Sequence, residues 1–124
     1  MIQIILNSIP LPESSGDRYA CWEEDLMVQV EMITGRMVEE SRGTIWRAKW
    51  SYDYLDNEMT RRILDALHAR GPVQASVLPN GRAELVTGRF LVDSITPPAF
   101  LFSEDGIPCW HGLGFTLREV EPHD

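Results

Sequence analysis

The sequence predicts an α+β fold that is mostly β: an antiparallel sandwich or partly open barrel of about seven or eight strands, with one α-helix over about 57–70. Three observations carry this. The stretch 44–71, TIWRAKWSYDYLDNEMTRRILDALHARG, switches from a two-residue to a helical period. Short alternating apolar runs separated by turn residues fill the rest. No βαβ alternation occurs, which excludes a doubly wound parallel sheet.

The elements follow in chain order. Ile2, Ile4 and Leu6 alternate as a first strand, Asn7-Ser8 offers a turn, and Ile9 to Pro12 continues extended. Residues 13–18, ESSGDR, read as a loop. Leu26, Val28, Val30 and Met32 alternate in a second strand reaching Met37 or Val38, and the polar run 39–43, EESRG, reads as a hairpin tip. From Thr44 to Tyr54, Trp46, Ala48, Trp50, Tyr52 and Tyr54 fall on one face. Met59, Ile63, Ala66 and Leu67 then recur at helical spacing, with Asp56 placed to cap the start and Gly71-Pro72 to end the helix.

Beyond the helix, Val73, Ala75 and Val77 form a strand ending at the turn Pro79-Asn80-Gly81. A strand over 83–87 is expected, with Gly88 as a bulge or break before the face of Phe90 and Val92. Pro97-Pro98 interrupts the pattern ahead of Phe100-Leu101-Phe102, and 103–106, SEDG, is a hairpin tip. His111, Leu113, Phe115 and Leu117 share one face of a closing strand, followed by a polar, fraying tail. Residues 1–124 are expected to be a single β-rich domain, with a composition ordinary for a globular protein.

The formal net charge of −8 argues against gripping nucleic acid or an anionic membrane, because no basic excess is available to displace counterions. No apolar run is long enough for a transmembrane helix, and no export signal pattern opens the chain. The two cysteines, Cys21 and Cys109, make neither a disulfide framework nor a metal spacing and are expected to be reduced.

No catalytic, cofactor or metal signature stands out. His68, His111 and His123 lack zinc-like spacing and read as structural or solvated. Glu23-Glu24-Asp25 and Glu39-Glu40 read as solvated charged edges rather than paired catalytic carboxylates. Cys109 and His111 share a strand face, but no third group accompanies them. The GxG of WHGLGF lies within a strand pattern, where glycines permit close packing rather than phosphate binding. The aromatic face around Trp46 and Trp50 is read as core; an exposed stacking platform is the other reading, and it would make the protein a small β-rich binding module for carbohydrate or peptide.

Three stretches taken in order, WRAKWSYDYLDNEMTRRILDAL, TGRFLVDS and WHGLGFTLREV, give the chain a resemblance to small tail-region structural proteins of bacteriophages and prophages. It resembles the β-sandwich-plus-helix unit of tail tube, tail terminator and distal tail proteins. The resemblance implies a non-enzymatic virion protein without cofactors, located in the tail and assembled in the bacterial host cytoplasm. Its partners would be further copies in a ring, other tail proteins, or both. Strand edges and long hairpins are the surfaces such assembly uses. The candidates are the hairpin at 34–43, with Arg36, Glu39, Glu40 and Arg42, and the loop at 97–107. An acidic lumen would let DNA pass without sticking.

Overall fold

The computed structural model describes residues 1–31, 35 and 37–123, with only the backbone described for 27–31 and 37–42. Nine strands and one α-helix are found among them: β1 (Ile4–Leu6), β2 (Ile9–Pro10), β3 (Tyr19–Glu31), β4 (Met37–Tyr52), α1 (Asn57–Leu67), β5 (Val73–Val77), β6 (Val86–Thr96), β7 (Ala99–Glu104), β8 (Ile107–His111) and β9 (Leu113–Glu119). Seven strands form one antiparallel sheet in the order β2-β1-β5-β6-β9-β4-β3, and β7 and β8 form a separate two-stranded sheet. The mostly-β, one-helix architecture agrees with the sequence reading, in its open rather than closed form.

The large sheet curls until its β3 edge approaches the segment after β5. The Asn80 amide donates to the Cys21 carbonyl (2.8 Å), and the Cys21 amide donates to Asn80 Oδ1 (3.0 Å). One backbone bond and one side-chain bond thus span a gap that no strand ladder closes among the described residues, as expected of a partly open barrel. The core lies inside the curl. It gathers Ile4, Leu6, Trp50, Val77, Phe90, Leu113 and Leu117 with Ile63, Ala66 and Leu67 of α1.

The helix forms where its caps dictate. Asp56 Oδ1 accepts from the Met59 amide (2.7 Å), satisfying a donor that the first turn leaves unpaired. Thr60, Ile63, Ala66 and Leu67 make the buried face. The helix stops at Leu67 rather than about 70, because His68 leaves helical geometry and Nδ1 of its own ring lies 2.8 Å from the Leu64 carbonyl.

The turn expected at Asn7-Ser8 is present: both residues have positive φ (47° and 70°), the geometry of a tight hairpin turn, and β1 and β2 pair across it. Several other boundaries differ from the sequence reading. β3 begins at Tyr19, well before Leu26. Residues 39–43 are not a hairpin tip: β4 already runs from Met37, with Glu40 paired to Val28 and Glu39 to Gln29. β6 begins at Val86, so 83–85 are not strand, and Gly88 pairs regularly with Ala75. The closing strand is broken at Gly112 (φ +79°), which passes the chain from the small sheet to the large one.

Candidate assembly surface

The hairpin of β7 and β8 carries the most exposed apolar surface among the described residues. Asp105 (φ 52°) and Gly106 (φ 79°) make its two-residue turn. All six residues of β7 are exposed. Phe100 is 59% exposed and Ile107 57%, with Leu101 and Phe102 also open to solvent. Tyr54, exposed as well, extends this patch, its ring 6.2 Å from that of Phe102. Full burial of each such side chain stabilises by about 1.5–3 kcal/mol, so the patch is costly to leave wet.

The body anchors the hairpin through β8. Leu55 and Trp110 exchange both backbone hydrogen bonds (2.9 and 3.0 Å). The Trp110 indole N–H donates to Asn57 Oδ1 (3.0 Å) at the helix start, and Phe100 meets the Trp110 ring edge-on at 6.0 Å. Cys109 is buried, its Sγ 3.4 Å from the Tyr54 hydroxyl. Thus β8 is fixed, while β7 pairs only with β8 among the described residues and keeps its outer edge open. A bulge between Phe100 and Phe102 sets Leu101 out of register. An open edge lined with apolar side chains is a template for another chain.

The second candidate is the ribbon of β3 and β4. β9 pairs with β4 only from Arg47 to Tyr52, whereas β3 pairs with β4 as far as Glu31 and Met37. The ribbon therefore runs on beyond the large sheet. Arg36 lies outside the described residues, as do the side chains of Glu39, Glu40 and Arg42. Within 97–107 the sequence signal for this surface is Phe100-Leu101-Phe102, set between a proline pair and an acidic turn.

The other sequence candidates fall into place. Trp46 (8% exposed) and Trp50 (1%) face the core, so they form no open stacking platform. Glu23, Glu24 and Asp25 lie exposed on β3 and are engaged by His123, Arg47 and Thr44 respectively. His111 is exposed, while Cys109 is turned inward. No group of three or more His, Cys, Asp or Glu that could hold a metal ion occurs among the described residues. Among the described residues no helix is long and apolar enough to cross a membrane.

No family model and no curated protein matches the sequence. A chain of the virion of a native gene transfer agent particle is similar in structure, with a TM-score of 0.55 and 14% identity over 96% of this chain and 90% of that one. The two chains share a fold. That likeness spans nearly the whole length of both.

Proposed function

We propose that this protein is a structural, non-enzymatic subunit of a phage-like virion, working in the tail region by joining neighbouring subunits. The open-edged apolar hairpin of β7 and β8 carries this reading, and the fold shared with a virion chain supports it. The hairpin offers what a subunit joint needs: main-chain groups for pairing and large side chains for burial. The partner is a further copy in a ring, or another tail protein. The carbohydrate reading loses its stacking platform with Trp46 and Trp50 inside the core.

The test is sedimentation of the purified protein over a range of concentrations, alone and with candidate tail partners, beside the double variant Phe100→Ser/Phe102→Ser. Concentration-dependent oligomers or partner complexes are expected for the native chain and are lost in the variant, while its melting temperature is retained. A native chain that stays monomeric at high concentration and captures no tail protein overturns the reading.

A further inference from the structure

The segment after β9 crosses the root of the β3–β4 ribbon, and His123 fastens it there. Its amide donates to the Thr44 carbonyl (3.0 Å). Its Nδ1 lies 2.7 Å from Glu119 Oε1, and its Nε2 2.9 Å from Glu23 Oε2. Its ring stacks on Trp46 with centroids 4.8 Å apart and planes 7° from parallel. A carboxylate only accepts, so satisfying both contacts requires a proton on each ring nitrogen; a neutral imidazole has only one. The geometry is therefore complete only for imidazolium.

The charges around the ring come from several elements. Glu23 is on β3 and Glu119 on β9, and Glu119 Oε1 also accepts from the Trp46 amide (3.1 Å). Asp25, further along β3, accepts from the Thr44 hydroxyl (3.2 Å). Arg82, between β5 and β6, holds its guanidinium 5.3 Å from the Trp46 ring centroid and opposes a second positive charge nearby. The two carboxylates touch the imidazole directly and outweigh that one cation.

We propose that His123 is a pH-set clasp: as imidazolium it pins the segment after β9 against β3 and β4, and on losing its proton it lets that segment lift from Trp46. The clasp acts irrespective of which partner, if any, the β7–β8 hairpin docks.

Desolvation draws the His123 pKa down, but the hydrogen bonds and charges of Glu119 and Glu23 exceed it, and the net shift is upward from 6.5. A raised folded-state value means that the clasp is fully engaged below the unfolded pKa and is lost as pH rises through the folded one.

Nuclear magnetic resonance of the whole chain tests this. The His123 ring is titrated from about pH 5.5 to about pH 8.5, across the histidine range. Amide protection factors, corrected for intrinsic exchange, are followed at Trp46 and at position 123, the two amides bonded across the clasp. The expected result is a His123 midpoint above 6.5, with protection falling across it by about tenfold for each unit of upward shift. Glu23→Gln lowers the midpoint, and His123→Ala removes the pH dependence while the chain still melts cooperatively. Should His123→Ala fail to fold, Glu23→Gln alone decides. Protection that does not change with pH, or that changes equally in the variants, overturns the proposal.

Discussion

The phenol of Tyr19 answers both peptide groups of Leu78: it accepts from the amide (2.8 Å) and lies 2.7 Å from the carbonyl, to which it donates. This pair spans the gap between the β3 edge and the chain leaving β5. Burial raises the Tyr19 pKa well above the ordinary phenol value, with the nearby Cys21 adding to the rise and the Leu78 hydrogen bond opposing it. Tyr19→Phe takes the donor from the Leu78 carbonyl, while the Leu78 amide keeps the Gln3 carbonyl as acceptor (2.9 Å), and it is expected to destabilise by about 1–3 kcal/mol, read from the midpoint of urea unfolding.

Trp50 is the largest side chain sealed in the core. Its indole N–H donates to the Pro12 carbonyl (3.2 Å), and its ring lies 5.4 Å from that of Phe115. Trp50→Ala leaves a cavity and an orphaned carbonyl, at a cost of about 3–5 kcal/mol. A thermal melt unchanged by this substitution would contradict the core assignment.

The helix cap is separable from the core. Asp56→Ala removes the acceptor for the Met59 amide and is expected to cost about 0.5–2 kcal/mol in denaturant unfolding. Asp56→Asn should recover most of that, since the amide oxygen still accepts.

The two glycines of WHGLGF resist substitution for different reasons. At Gly114 a Cβ would meet Ser51 Cβ at 3.0 Å and the Trp50 carbonyl oxygen at 3.2 Å. Gly114→Ala thus crowds β9 against β4 and should cost about 1–3 kcal/mol. At Gly112 there is space for a Cβ, but φ is +79°. Gly112→Ala should cost about 1–2 kcal/mol through backbone strain alone. Gly112→Asn should be milder than Gly112→Ala, and comparing their unfolding midpoints separates strain from crowding.

Cys21 is expected to be inert. Burial, reinforced by the charge of Glu119 and more weakly by Glu23, and countered by Arg82, pushes its thiol up to about 12. Little thiolate then exists near neutral pH. Iodoacetamide should label Cys21 only after unfolding, as mass spectrometry of digested samples would show.

The sequence pattern was most legible where burial acts on one face at a time. Trp46, Ala48 and Trp50 alternate because β4 lies between β9 and β3 with its inner side on the core. The pattern fails at Tyr54, which is exposed because the strand ends at Tyr52. The onset of β3 was hidden because Glu23, Glu24 and Asp25 are charged on both sides of an edge strand, where solvent imposes no alternation. The run 39–43 carries the composition of a turn, polar and ending in Gly43, yet β4 passes through it paired with β3. Nothing local joins His123 to Glu23, a contact across 100 positions; only the curl of the sheet brings them together.

The bare margin of β7 also has a bearing on how the protein is made. A strand of exposed phenylalanines with one row of peptide groups unpaired among the described residues is a template for any extended polypeptide, another copy of itself included. Purification is then a question of concentration and time: concentrated stocks held long are the ones at risk of precipitating.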